Sequence, residues 1–276
     1  MTVPCSGWER VFPLRFGRQP IIYCIWLYLN LSIFRIFIPD PNFSQTERKH
    51  FFARARNTLK TVAKIGDHPN ILKVWDRTGD DGIPIEGSDW SEAGTLSDLI
   101  ADNPKGLDVE KAMNIFDGIL NGLEIIHNND IIHRALNPDN ILMTGDTPKL
   151  MNFDLAYHLE TDEEHITVLP DSYKIKEDPY IAPEIFDKRD CIPASDLFSA
   201  GVILYQMLTG TRPFKRSTDL IKSNGRITKE AIYRLFQRKH NLRLISTYHK
   251  CKWYTHYVLL HQLLLQQVFL AQFRPG

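Results

Sequence analysis

The chain has 276 residues, 43% of them hydrophobic and 24% charged, with 33 Lys and Arg balancing 33 Asp and Glu. That length suits one large domain or two small ones, and the composition excludes collagen-like, disordered and disulfide-framework chains. Four scattered cysteines (Cys5, Cys24, Cys191 and Cys251) form no C-x-x-C pair, which argues against a zinc knuckle or redox dithiol and leads us to expect a reducing, cytoplasmic setting.

The apolar run Ile21 to Ile38 comes near the roughly 18-residue lower limit for a membrane span, but Asn30, Ser32 and Arg35 interrupt it. No small-residue cleavage site follows, so a signal peptide does not fit. The run reads as a pair of buried strands rich in Ile, Phe, Tyr and Trp. Pro39 to Pro41 ends the second one. Ser44, with Glu47 three residues on, predicts a capping box opening a helix through Ile65, with apolar positions at Phe51, Phe52, Ala55, Leu59, Val62 and Ala63.

A turn and strand over His68 to Asp76 follow, then an Asp80-Asp81-Gly82 turn and a second strand over Ile83 to Trp90. After the connector Ser91 to Gly94 the character becomes helical: a short helix spans Leu96 to Ala101. Asp108 caps a long one with Ala112, Ile115, Phe116, Ile119, Leu120, Leu123 and Ile126 at the 3.6 period. Short strands are expected at 131–132, 141–144 and 149–151, then a polar loop to Tyr180 and an apolar helix from Leu197 to Leu208 ended by Gly210. Strand-rich first and helical second, the pattern is an α+β two-lobed plan.

The zero net charge conceals an asymmetry. From Lys215 to Gly276 there are 12 Lys and Arg against 2 Asp and Glu, leaving 21 against 31 in the body. Such a tail can bind nucleic acid or an anionic surface, or can be basic because it was never selected to fold. Its four histidines, His240, His249, His256 and His261, show no i,i+4 pair for zinc. Val258 to Leu270 reads as an apolar helix that could dock on the body.

Ile131 to Ala156 (IIHRALNPDNILMTGDTPKLMNFDLA) resembles the catalytic and metal-binding segments of protein kinases, whose usual form is H-R-D-L-K-P-x-N followed by D-F-G. Tyr180 to Phe186 (YIAPEIF) looks like the family's A-P-E segment, and Ala194 to Phe214 like the helix behind it. HPNILKVWD and SDWSEAGTLSDLI resemble the fourth strand, the hinge and the first lower-lobe helix. The resemblance covers about 32–229. It implies a two-lobed α+β kinase fold with a divergent segment at 1–31, an incomplete upper lobe over 32–90, a lower-lobe core over 91–229 and a tail over 230–276 outside the family pattern. Departures at both ends would also suit a truncated or frame-disrupted product.

In the family, Mg²⁺ clamps the phosphates of ATP, a strand Lys paired to a helix Glu orients them, a glycine-rich loop covers them and an Asp takes the substrate proton. His133 and Arg134 match, but Ala135 stands at the catalytic Asp and Asn137 at the phosphate-contacting Lys. Asn140 matches the metal-binding Asn. Asn152-Phe153-Asp154 occupies D-F-G, placing a neutral amide at the main metal position and making Asp154 a replacement carboxylate or an exposed loop residue. Arg35 aligns with the strand Lys, and Thr58 or a neighbour with the helix Glu. No G-x-G-x-x-G precedes the strand, since Gly7 and Gly17 are isolated.

By resemblance, Ser88 is the gatekeeper, and Asp89, Trp90 and Ser91 form the hinge that meets an adenine. His133 and Phe153 belong to an apolar stack, Asp196 is a buried Asp bonded to the catalytic-loop backbone and Glu184 pairs with a distant Arg. Thr161, Thr167, Ser172 and Tyr173 lie on a loop where an added phosphate could reach Arg134. Losing a general base costs about 10²- to 10⁴-fold in rate, and losing the metal carboxylate weakens charge neutralisation as well. The expectation is therefore a pseudokinase-type domain that binds nucleotide (ATP, weakly, with Mg²⁺) or a protein partner. The alternative is an active Ser/Thr kinase with atypical motifs. Nucleic acid or an anionic surface is a further partner through the tail; a membrane span is not expected.

Overall fold

The computed structural model describes residues 11–14, 22–25, 32–76, 78, 82–89, 91–159, 178–182 and 192–215. The loop hydroxyls at 161–173, Glu184, Trp90 and the tail from 216 lie outside the described residues. The chain divides into two compact units, one of Met1–Asp98 with Gly118–Pro170 and the other of Leu99–Asp117 with Asp171–Gly276.

The first unit opens with strands β1 (Val11–Leu14) and β2 (Ile22–Ile25), paired antiparallel with Val11 opposite Ile25. A hairpin thus forms within the segment that departs from the kinase pattern. Strand β3 (Ser32–Ile36) follows, so the Ile21 to Ile38 run folds as two strands, as its β-branched and aromatic content predicts. Among the described residues no helix is long and apolar enough to cross a membrane.

Helix α1 (Gln45–Ile65) has the bounds its capping signals predict. Glu47 N–H donates to Ser44 Oγ at 3.3 Å, and Ser44 N–H donates to Glu47 Oε2 at 2.7 Å. These reciprocal bonds satisfy otherwise orphaned amides and hold the Glu47 carboxyl below its ordinary pKa. The buried face differs from the apolar pattern. Ala63 is exposed and Leu59 half-buried, while Asn57, Thr58 and Thr61 lie inside beside Phe51, Ala55 and Val62.

Strands β4 (Val74–Asp76) and β5 (Ile85–Asp89) complete a three-stranded sheet in the order β3-β5-β4, with Arg35 and Asp76 both opposite Glu86. Alternation along a strand puts Glu86 and Ser88 on one face and Gly87 on the other. Trp75 lies opposite Gly87, and its indole fills the space a side chain there would need.

After helix α2 (Leu96–Ala101), Asp108 caps α3 (Val109–Asn128) by accepting the Glu110 N–H at 2.9 Å. Of the predicted positions, Ala112, Ile115, Phe116, Ile119, Leu123 and Ile126 are buried and Leu120 is half-buried. In the first unit, β6 (Ile131–Ile132) pairs with β9 (Tyr157–His158), and β7 (Ile141–Thr144) pairs with β8 (Thr147–Leu150). Leu72, Leu142 and Met151 form one of its apolar clusters, with Val74 against it.

In the second unit, α4 (Pro193–Thr209) begins four residues earlier than its apolar run suggests, because Pro is accommodated at a helix start where no N–H bond is required. Asp196 is buried in its first turn. Gly210 closes it at φ +72°, and a side chain there would also meet the Pro104 carbonyl. Leu107 N–H donates to Met207 O at 2.7 Å, and Ser199 Oγ donates to Tyr180 O at 2.6 Å.

Candidate active site

Of the described site residues all but Asp196 lie in the first unit. The loop after β6 carries His133, Arg134 and Ala135. Nε2 of the buried His133 is 3.1 Å from Met151 O, and Ala135 N–H donates to His133 Nδ1 at 3.4 Å. The ring lies 4.8 Å from that of Phe153, fully buried, so both serve an internal stack. Arg134 adopts φ +65° and sets its guanidinium 5.5 Å from the Tyr157 ring centroid.

Asn137 caps a 3-10 turn, Pro138–Asn140, its Oδ1 accepting the Asn140 N–H at 3.1 Å. The loop is therefore held by its own amides. Asn140 Nδ2 donates to the Ala135 carbonyl at 2.7 Å and its Oδ1 accepts from Asn152 Nδ2 at 2.6 Å. Asn152 precedes a second 3-10 turn, Phe153–Leu155, and stands in the left-handed region at φ 64°, which Asn tolerates better than most residues. Its Oδ1 accepts from Arg35 Nη2.

Arg35 on β3 thus joins the sheet to this turn. Its Nη1 lies 3.5 Å from Glu86 Oε2 on β5, and its guanidinium sits 5.6 Å from the Phe37 ring centroid. Glu86 is 4% exposed against 18% for Arg35, so the carboxylate is the deeper partner. Burial pushes Glu86 up to about 7; Arg35 opposes this, and the Asp154 carboxylate reinforces it. Thr58 Oγ1 and Glu86 Oε1 are buried without a partner in hydrogen-bonding geometry. The hydroxyl still acts on the carboxyl as a weak lowering influence. Asp154 is not the exposed loop residue of one sequence reading: it is half-buried and burial raises its pKa, against the attraction of Arg35, Arg54 and His133.

Helix α1 is fastened to the same turn by neutral groups. Asn57 Nδ2 donates to the carbonyls of Phe153 at 3.0 Å and Ala156 at 2.7 Å, with Asp154 O at 3.4 Å. Thr61 Oγ1 lies 3.0 Å from His158 Nε2. Hydrophobic periodicity could not find these residues, since both are polar on an inward helix face. Glu86 did leave a signal, as a charge inside the strand IPIEGSDW.

This order of elements around one loop has a counterpart: a family model described as "Protein kinase domain" matches residues 42–265. The chain belongs to the protein kinase family. It is 31% identical over 175 residues to "Probable serine/threonine-protein kinase PknB" of Bifidobacterium longum, covering 59% of this chain and 25% of that protein. It is 27% identical over 196 residues to "3-phosphoinositide-dependent protein kinase 1" of Arabidopsis thaliana, covering 68% and 39%. Against "Serine/threonine-protein kinase 17A" of Oryctolagus cuniculus it is 30% identical over 152 residues, covering 52% and 36%. The matches thus span a quarter to two fifths of these relatives' lengths.

Within this kinase-family domain, Arg35, Asn140, Asn152 and Ala135 meet in one connected chain of polar contacts. Asn137 and Ser91 take on internal bonds: Asn137 caps its loop, and Ser91 Oγ donates to the Met143 carbonyl and accepts the Ala93 N–H at 3.3 Å. Asp89 is exposed at the end of β5.

Protein kinase domains in general use ATP and Mg²⁺. The metal-position residues here do not suit a divalent ion. Asn152 Oδ1 is engaged by a cation already, and Asn140 Oδ1 by the Asn152 amide. No group of three or more His, Cys, Asp or Glu among the described residues could hold a metal. A divalent charge about 4 Å from the guanidinium would be opposed by roughly 8 kcal/mol at an effective dielectric of about 20.

Proposed function

We propose that this protein-kinase-family domain acts by binding a nucleotide or a protein partner, and that it transfers phosphate poorly or not at all. The observation that carries the reading is the closure of the loop on itself. Position 135 offers only a methyl group and a carbonyl, and that carbonyl accepts from Asn140, so no side chain there can take a proton from a hydroxyl. Asn137, at the phosphate-contacting position, is engaged as a cap instead. A general base is worth about 10²- to 10⁴-fold, and its loss alone would leave a slow enzyme.

The chain's residues perform positioning. The His133 and Phe153 stack, the Asn57 clamp and the Arg35 bridge hold the loop, the turn and α1 in one arrangement. A loop held in advance by such buried contacts suits recognition, because little ordering remains to oppose association. A residual Ser/Thr kinase is the second reading. It is favoured by Asp154, a carboxyl two residues beyond the main metal position that Arg35 attracts, and by relatives whose names describe serine/threonine-protein kinases.

A radiolabel transfer assay with Mg²⁺ or Mn²⁺ and protein acceptors decides between them. We expect no turnover above background. Turnover abolished by Asn140→Ala would establish the kinase reading and overturn the first.

A further inference from the structure

Resting on the reading of this domain as a binder, we propose that the outward face of α1 docks an extended acidic protein segment, one with carboxylates at alternate residues.

The charge of α1 is lopsided in composition and in placement. The helix holds six Lys and Arg (Arg48, Lys49, Arg54, Arg56, Lys60 and Lys64) against Glu47 alone, within a body that carries 21 Lys and Arg against 31 Asp and Glu. Glu47 is engaged in the capping box. At 3.6 residues per turn, Lys49, Arg56, Lys60 and Lys64 fall within about 80° of one another around the helix axis, and all four are exposed. Arg48 and Arg54 stand off this stripe: Arg48 donates to the Phe43 and Pro41 carbonyls, and Arg54 acts on Asp154.

Helix stability does not account for the stripe. Arg56, Lys60 and Lys64 follow one another at i,i+4, where like charges destabilise a helix and a Glu would stabilise it. Two of the side chains are held in place by neutral groups, Arg56 donating to Gly82 O at 3.3 Å and Lys64 to Asn129 O at 2.8 Å. Arg56 also attracts Asp76, whose carboxylate the Thr78 amide holds at 2.7 Å. Side chains fixed in this way lose less freedom when a partner arrives.

Spacing and chemistry select the partner. The helical rise puts Arg56, Lys60 and Lys64 about 6 Å apart along the axis, with Lys49 about 10 Å before Arg56. Alternate residues of an extended strand lie about 6.6 Å apart, so a strand running along α1 meets successive cations with every second side chain. The exposed large hydrophobic side chains among the described residues, Ile38, Leu159 and Ile192, are all off α1. The stripe thus offers nucleobases no stacking platform and a bilayer no apolar anchor, whereas a carboxylate ladder needs neither.

The test is fluorescence anisotropy of a labelled peptide alternating Glu and Ser, and of its Gln counterpart, titrated with the full chain at rising NaCl. We expect the Glu peptide to bind, its affinity to fall with salt and the Gln peptide not to bind. Losing three exposed ion pairs together predicts a roughly tenfold weaker affinity for the variant Lys49→Gln, Arg56→Gln, Lys60→Gln. Its unfolding midpoint should be no lower than the parent's, because a like-charge pair has been relieved. The tail variant Arg243→Gln, Lys250→Gln, Lys252→Gln should bind as the parent does. Unchanged binding in the stripe variant, an equal loss in the tail variant, or equal binding of the Gln peptide would overturn the inference. Tighter, stripe-dependent binding of an oligonucleotide or of phosphatidylserine vesicles would overturn it in favour of those partners. No peptide binding at all would overturn it too, the binding reading then resting on a nucleotide or another face. Phosphate transfer in the assay above would instead overturn the binding reading itself.

Discussion

Arg35 Nη1 and Glu86 Oε2 lie 3.5 Å apart across neighbouring strands, so the basic residue of β3 finds its carboxylate on β5. In the kinase pattern that carboxylate belongs to the helix, at a place the resemblance assigns to Thr58 or a neighbour. Moving the charge from α1 to the sheet separates the fixing of Arg35 from the fixing of the helix, and Asn57 and Thr61 take over the second task.

Glu86 should leave a signature in the pH dependence of stability. Its pKa rises on folding from 4.5 to about 7, so between those values the native state holds a proton that the unfolded chain has released. Stability from this group is complete below about pH 4.5 and lost as pH rises to about 7, by an amount on the order of 3 kcal/mol at about 1.4 kcal/mol per unit. Urea unfolding at pH 5, 6, 7 and 8 should show Glu86→Gln with a flatter pH profile than the parent. Parallel profiles would refute the assignment.

Asn57→Ala should leave the carbonyls of Phe153 and Ala156 buried without their donor. Each unmet group costs about 1–3 kcal/mol, so we expect a loss of roughly 2–4 kcal/mol. Hydrogen exchange should show faster labelling in 153–158 and in α1. Unchanged exchange in both would mean that the clamp is not holding the turn.

Gly87→Ala tests the packing of the sheet. The added methyl would meet the Trp75 indole at a separation no real contact tolerates, and overpacking of this kind costs about 1–3 kcal/mol. A lower unfolding midpoint accompanied by altered Trp fluorescence is the expected result; an unchanged midpoint would show that Trp75 has room to swing away.

Restoring carboxylates should be less effective than motif comparison suggests. With Arg35 in contact with residue 152, Asn152→Asp creates an ion pair to the guanidinium before it creates a metal ligand. We therefore expect Ala135→Asp with Asn152→Asp to remain near background, and Arg35→Lys added to that pair to give at least tenfold more transfer. Equal rates for the double and triple variants would count against Arg35 as the obstacle.

Much of this was legible in the chain alone. The Ser44 and Glu47 pair fixed where α1 starts, Asp108 where α3 starts and Gly210 where α4 stops, because caps are local chemistry decided within a few residues. The 3.6-residue spacing of apolar side chains gave the core face of α3, since one apolar stripe suffices to bury a helix. The stretch from Ile131 to Ala156 carried the family, and with it the positions of Ala135, Asn140 and Asn152.

What the sequence could not supply was which polar groups meet. Asn57 and Phe153 are 96 residues apart, and Asn152 and Arg35 are 117 apart. Nothing local distinguishes an inward Asn on a helix from a solvated one. A buried polar side chain becomes stable only when a distant partner satisfies it, and that pairing is a property of the assembled fold. Sequence therefore determined most of the elements and the family. Tertiary structure decided that Arg35, Glu86, Asn152 and Asn140 close into one chain, because the cost of burying charge and amide groups is offset only where they converge.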